Sequence, residues 1–216
     1  MPYNDHSILR DKHAPLSPSS YHWLNYDKEK LLSRYVNSYA QTIGTALHEL
    51  AAQHIKYRMK IGKNNEAKKH ILFFLLQSGI PRNVIDIDYV FENFVTYVND
   101  AIGFRLEPEI ILYYSDYCFG TTDAITPLEI VRKTNKLHIH DYKSGVTAAH
   151  MEQLMIYNAL FCIEYGFKPE ELDTELRIYQ NNQIIVHQPE STDIREIMGK
   201  IIDNDKTISL FQEGNK

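Results

Sequence analysis

The chain is poor in cysteine: 216 residues contain two, Cys118 and Cys162. Two thiols far apart in sequence cannot by themselves build a disulfide framework, a zinc knuckle or an iron–sulfur ligand set. Long apolar runs are missing too. The longest, Ile71–Leu76, spans six residues, where a membrane span needs about 20. Met1–Lys12 is polar and charged, so no secretory signal and no membrane partner are expected, and a reducing cytoplasm is the expected compartment. A basic excess is also absent. There are 23 Lys and Arg against 28 Asp and Glu, a net charge of −5. Proteins that bind phosphate backbones are often basic, so this balance at first weighs against a nucleic-acid partner. What is present is 44% hydrophobic residues with 15 Tyr, nine Phe and one Trp. That is too apolar for a disordered chain, and the length suits one domain with a real core. No repeat, low-complexity stretch or linker divides it. Residues 1–216 therefore read as a single domain, with 1–16 a flexible N-terminal segment.

Hydrophobic periodicity changes along the chain. Ser17 or Ser19 is placed to cap a short helix carrying Tyr21, Trp23 and Leu24. Apolar residues then recur near a 3.6 period from Asp27 to about Lys60, which predicts one long helix. Helices are also expected over Asn65–Gln77 and Asp88–Ala101. Residues 105–114, 117–126 and 128–143 are rich in β-branched and aromatic types and predict three consecutive strands, the last two forming a hairpin around Thr134–Asn135. A helix over 148–165, a strand pair around Asn181–Asn182 and a last helix over 191–203 complete the pattern. The expected fold class is α/β (α+β), with one central mixed β-sheet flanked by helices.

The densest chemical signal is Asp141-Tyr142-Lys143 at the end of an apolar strand. Side chains at i and i+2 share a strand face, so Asp141 and Lys143 project together while His140 and Tyr142 point the other way. Asp123, ending Gly120-Thr121-Thr122-Asp123, is placed to meet Asp141 across adjacent strands. Two carboxylates converging there make a hard-oxygen site suited to Mg²⁺ or Mn²⁺. A neighbouring Lys can position water or stabilise charge developing on phosphate. Gly44 and His48, spaced i, i+4, share one face of the first long helix, and Gly44 removes a side chain beside an inward-pointing imidazole. Gln153 and Tyr157 are likewise i, i+4, on the helix after the D-x-K strand. Glu107 and Glu109 share a face of the first strand.

Taken in order, Gly44…His48, Glu109, GTTD ending at Asp123, Asp141-Tyr142-Lys143 and Gln153-x-x-x-Tyr157 resemble the PD-(D/E)XK nuclease superfamily, in particular its RecB-type exonuclease branch. The blocks LSPSSYHWLNY and GTTDAI…LHIHDYKSG…QLMIYNAL look most like phage- and prophage-encoded members. The resemblance implies a restriction-endonuclease-like core and a metal-dependent DNA exonuclease acting in phage recombination or DNA processing. Alternatives on the same fold are a structure-specific or flap endonuclease and a non-catalytic nucleic-acid-binding module. It implies that His48, Glu109, Asp123, Asp141 and the backbone carbonyl of Tyr142 hold one or two Mg²⁺ or Mn²⁺ ions. Glu107 stays open beside Glu109. Asp123, Asp141 and Lys143 would be the catalytic set, with Lys143 aligning or activating the attacking water. Gln153, Tyr157 and Gly44 would bind DNA or order the site. The implied partners are DNA and a single-strand annealing or recombination protein, in the cytoplasm of a bacterial host. Two cysteines make an iron–sulfur cluster unexpected, and the oligomeric state stays open.

Other features invite function and are discounted. His138-x-His140 suggests zinc but has no third ligand nearby, and reads as a half-exposed strand face. Tyr21, Trp23 and Tyr26 read as core packing. The cations Lys56, Arg58, Lys60, Lys63, Lys68 and Lys69, and Arg132, Lys133 and Lys136 at the expected hairpin turn, read as solvated surface, with a track for a phosphate backbone as the alternative. The charge balance also changes meaning. Part of the acidic excess is assigned to cations, and bound metal would reverse the local sign.

Overall fold

A computed structural model describes residues 4–9 and 14–213. Of residues 1–16, the segment expected to be flexible, 1–3 and 10–13 lie outside them, and Ser7–Leu9 forms a 3-10 turn. Among the described residues, five strands form one sheet in the order β1-β2-β3-β4-β5. They are β1 (Glu107–Ser115), β2 (Cys118–Ile125), β3 (Lys136–Tyr142), β4 (Asp173–Gln180) and β5 (Gln183–His187). The sheet is mixed: β3 and β4 run parallel and every other pair is antiparallel. Helices α1 (Lys28–Asn37), α2 (Ala40–Lys56), α3 (Asn65–Gln77) and α4 (Ile87–Gly103) precede it, α5 (Leu128–Thr134) joins β2 to β3, α6 (Glu152–Tyr165) crosses from β3 to β4, and α7 (Ser191–Glu213) follows β5. The expected class, an α/β (α+β) fold with a central mixed sheet between helices, is what the chain adopts.

Alternation along the strands sends side chains to two hydrophobic layers. Leu137, Ile139, Leu176 and Ile178 pack with Leu160, Phe161 and Ile194 of α6 and α7. Tyr142 and Tyr179 face the other way, into a layer with Leu47, Ile55, Leu75, Phe94 and Val98 of α2, α3 and α4. Asn64 and Asp86 cap α3 and α4 by accepting from the backbone N–H groups of Ala67 and Tyr89. No helix among the described residues is long and apolar enough to cross a membrane.

Four expectations are corrected. The long helix expected from Asp27 to Lys60 is two helices, broken where the Ser38 hydroxyl donates to the Tyr35 carbonyl and the Tyr39 N–H bonds back to Val36; the second ends at Lys56. The stretch 128–143 is not one strand. Leu128–Thr134 forms α5, with Glu129 in its first turn, Arg132 and Lys133 in its last and Asn135 as a left-handed cap, an arrangement that suits the helix dipole. The hairpin is therefore β1–β2, not the second and third strands. The last helix runs ten residues beyond the expected end. No Gly or Pro lies between Asp203 and Glu213, and Tyr117 donates from its hydroxyl to Gln212 Oε1 at 2.8 Å, tying its far end to the β1–β2 turn.

Candidate functional site

The β2–β3 ladder contains two residue pairs, Ala124 with His140 and Ile125 with Ile139. The next pair in register would be Asp123 and Asp141, and there the strands part. The Asp123 side chain takes over from the ladder: its Oδ2 accepts from the Tyr142 backbone N–H at 2.9 Å. The β1–β2 ladder is disturbed at the same level. Its register runs through Pro108 with Ala124 and Ile110 with Thr122, skipping Glu109 opposite Asp123. Glu109 has φ +54°, a left-handed backbone that is costly for a residue with a Cβ. Glu109, Asp123 and Asp141 thus stand in one row across three adjacent strands, at the mouth of a fork. The row also explains why Glu109 stays apart. Adjacent strands lie about 4.8 Å apart, so Glu109 is two strands from Asp141.

Helices close on the fork from both sides. From α2, His48 Nδ1 reaches within 3.3 Å of Asp123 Oδ2, and the His48 ring packs edge-on against Tyr142, 5.8 Å between centroids. Tyr142 is pinned from beneath by Phe94 and by a stacked Tyr97. Gly44, one turn before His48, lets the chain after β3 pass close: a Cβ there would meet Ser144 Oγ at 3.3 Å. From α6, Gln153 Oε1 accepts from Lys143 Nζ at 3.0 Å. Lys143 Nζ also donates to Asp141 Oδ1 at 3.1 Å and lies 3.0 Å from Oδ2. Tyr157 donates from its hydroxyl to the Thr121 carbonyl at 2.7 Å, and its oxygen lies 3.4 Å from Gln153 Nε2. Because the Tyr157 proton is committed to Thr121, its oxygen acts as acceptor, which turns Gln153 Oε1 toward the ammonium.

The electrostatics are unbalanced. Burial pushes Asp141 up to about 7, helped by the Asp123 charge and opposed by Lys143. Burial likewise lifts Asp123 to about 6, opposed by the Tyr142 N–H and Lys143. Burial lowers the His48 pKa, so its imidazole is neutral at pH 7. A buried and a mostly buried carboxylate therefore share one ammonium, and beyond the 3.0 Å ion-pair contact with Lys143 Nζ, Asp141 Oδ2 makes no hydrogen bond. A second cation would relieve both, and the donors offered are hard oxygens with a neutral imidazole. Among the described residues, no group of three or more His, Cys, Asp or Glu side chains is gathered tightly enough to hold a metal ion by itself. Asp123, Asp141 and His48 are at the centre. Glu109 is exposed and contributes through its charge on Asp123 and His48. Glu107 stands opposite Ile125, one step further from the fork.

The residues singled out in the sequence thus gather here: His48, Asp123, Asp141, Lys143, Gln153 and Tyr157 are joined by direct contacts, with Gly44 and Glu109 at the margin. One contributor was visible only as a motif letter. A Cβ on Gly120 would lie 2.9 Å from Tyr157 Cε1, so the glycine is the seat of the tyrosine ring. Tyr97, fully buried beneath the fork, carried no sequence signal at all. Two discounted features are corrected in detail. His140 is fully buried and His138 half-buried, in contact with Phe104, so they are not a half-exposed face. The Pro18–Asn25 3-10 segment buries none of its residues, so Tyr21 and Trp23 are not core. Trp23 donates from Nε1 to the Ser17 carbonyl, and Tyr26 lies under the Lys30 ammonium.

Residues 13–180 match the family described as "Protein of unknown function (DUF2800)", and the chain belongs to that family. No curated protein and no solved structure matches it.

Proposed function

We propose that this member of the DUF2800 family is a metal-dependent deoxyribonuclease of the PD-(D/E)XK type, an exonuclease that hydrolyses phosphodiester bonds in phage recombination or DNA processing. One observation carries the reading. Across the fork, a buried carboxylate and a mostly buried one on adjacent strands face a single ammonium, with an imidazole on one acid and an amide on the ammonium. An ordinary ion pair needs one acid and one base. The surplus acid is what a divalent cation calls for.

Asp123, Asp141 and His48 would hold Mg²⁺ or Mn²⁺, joined by Glu109 and the Tyr142 carbonyl, as one ion or two. Such an ion supplies Lewis acidity toward phosphate and makes water a stronger nucleophile. The chain's own residues do the rest. Lys143 has three donor hydrogens; Asp141 and Gln153 fix two directions, and the third is free for a water or a phosphate oxygen in the fork. Tyr157, seated on Gly120, and Gln153 keep that ammonium from swinging to solvent. His48 is neutral and offers a lone pair. DNA is the proposed substrate, and a single-strand annealing protein is a fitting partner for an enzyme that resects ends.

The test is incubation of the purified chain with linear duplex and single-stranded DNA in Mg²⁺ or Mn²⁺, beside Asp141→Ala and Lys143→Ala. Cleavage by the wild type, lost in both variants and in EDTA, is the expected result. No cleavage on any substrate, or equal cleavage by the variants, overturns the proposal. Circular single-stranded DNA separates the exonuclease from an endonuclease, since only the latter cuts a circle.

A further inference from the structure

The β1–β2 hairpin carries a second pattern that hydrolysis at the fork leaves unused. Outward from Glu109 and Asp123, one set of alternating side chains is buried: Leu112 is fully enclosed, Tyr114 and Cys118 pack in the α6–α7 layer, and Gly120 seats Tyr157. On an antiparallel hairpin with one face buried, the other set is ordinarily polar. Here it is Ile111, Tyr113 and Phe119, which are 60%, 47% and 62% exposed. Tyr113 and Phe119 are direct cross-strand partners with near-parallel rings, 6.4 Å between centroids at 29°. Ile111 stands beside them opposite Thr121. A contiguous exposed apolar patch of this kind marks a contact surface.

Its place selects the occupant. Phe119 is four residues from Asp123 and Tyr113 four from Glu109, along the two strands whose ladder is interrupted at the fork. Four residues of strand span about 13 Å. Bases stacked at 3.4 Å per nucleotide cover that distance in about four nucleotides. A nucleic-acid strand whose phosphate lies in the fork therefore has neighbouring bases within reach of the two rings. Base stacking on aromatic side chains is tolerant of sequence and needs no positive charge, which suits a chain with a net charge of −5. Paired bases keep their π-faces inside the duplex; unpaired bases present them.

We propose that Tyr113 and Phe119, flanked by Ile111, form a stacking platform for unpaired bases of the strand engaged at the fork, so that the protein prefers single-stranded or frayed ends. The inference rests on the nuclease reading for its geometry, but its test reads binding and not turnover.

The experiment measures fluorescence anisotropy of labelled single-stranded and blunt duplex oligonucleotides in EDTA and in Ca²⁺, for wild type, Phe119→Ala, Tyr113→Ala, the double variant and Phe119→Trp. Single-strand affinity is expected to fall about 10-fold for each alanine and about 100-fold for the pair. Duplex affinity is expected to hold, and Phe119→Trp is expected to keep or raise single-strand affinity. Thermal melts run alongside, because loss of the cross-strand pair alone would lower Tm without separating the two DNA forms. If wild type binds DNA and the alanine variants bind single strands equally well, the platform is overturned and the nuclease reading stands. If the variants lose both forms equally, or if they change self-association by light scattering in place of DNA binding, the platform is likewise overturned. If wild type binds neither form, both readings fall.

Discussion

The two faces of β3 bury ionisable groups in opposite ways. Toward α4, His138 and His140 lie among Glu175, Arg177, Asp100 and Tyr179. Arg177 donates to Glu175 at 2.7 Å and lies 3.5 Å from Asp100, and the Tyr179 hydroxyl donates to Asp100 at 2.9 Å. Arg177 also covers the Phe104 ring. There each carboxylate has its cation or donor within the chain. At the fork, Asp123 has the Tyr142 N–H and the His48 imidazole beside it, but Lys143 is the one cation in contact with the pair, and Asp141 Oδ2 has only its ion-pair contact with that ammonium. One strand thus has its neighbouring carboxylates paired on one side, where only the imidazole nitrogens His138 Nδ1 and His140 Nε2 lack a hydrogen bond, and an acid in surplus on the other. Incomplete burial of charge is costly unless something compensates it, and the compensation proposed here comes from outside the chain.

Breaking each face should therefore have different consequences. The largest expected effect is at the fork: Asp141→Ala or Asp123→Ala should cut metal-dependent cleavage by at least about 10³-fold, while leaving the fold intact by circular dichroism. Lys143→Ala should cost about 10²–10⁴-fold in cleavage rate, the range for losing a group that handles the reacting proton or charge. Gly120→Ala probes the support beneath it. A Cβ at 2.9 Å from the Tyr157 ring forces that ring to move; about 1–3 kcal/mol of stability is expected to be lost, with a fall of about 10-fold in cleavage as Lys143 loses its tether. On the opposite face, Arg177→Ala should destabilise by about 1–3 kcal/mol, since it strands two partly buried carboxylates, and leave the cleavage rate of the folded protein unchanged. Equal effects of Arg177→Ala and Lys143→Ala on rate would erase the distinction between the faces.

The two faces also differ in pH dependence, and the signs oppose. In EDTA the folded chain keeps protons on Asp123 and Asp141 up to about 6 and about 7, whereas the unfolded chain releases them near about 4. The folded state binds more protons across that window, so this contribution to stability falls as pH rises from about 4 to 7. On the other face, burial holds His140 neutral, its pKa well below the ordinary range. The unfolded chain takes up that proton below about 6.5, so the His140 contribution falls as pH drops. Tm measured from pH 4 to 8 should show both limbs. Asp141→Asn should flatten the first, His140→Asn the second, and saturating Mg²⁺ should suppress the first alone.

Much of this site was legible before any coordinates. Two-residue periodicity puts Asp141 and Lys143 on one face, and four-residue periodicity links Gln153 to Tyr157; both follow from backbone geometry that any strand or helix imposes. Helix α3 and the β4–β5 pair lie where the pattern puts them, because Ser78–Gly79 and Asn181–Asn182 are strong local stops. The failures have local causes as well. Ile130 and Val131 carry strand propensity, yet the acid-first, base-last order of Glu129, Arg132 and Lys133 and the left-handed Asn135 favour α5. The break at Ser38–Tyr39 lies inside an uninterrupted apolar period and is marked by no Gly or Pro.

The sequence by itself determined the inventory: which residues are acidic, basic or aromatic, and which pairs share a face within one element. Only the tertiary structure decided that the β2–β3 ladder would stop after two pairs, that Glu109, Asp123 and Asp141 would align across three strands, and that Tyr157 would rest on Gly120. Register between strands and the approach of a ring to a glycine depend on contacts between residues far apart in the chain. No local periodicity encodes them, and they emerge only when α2 and α6 close on the same strands from opposite sides.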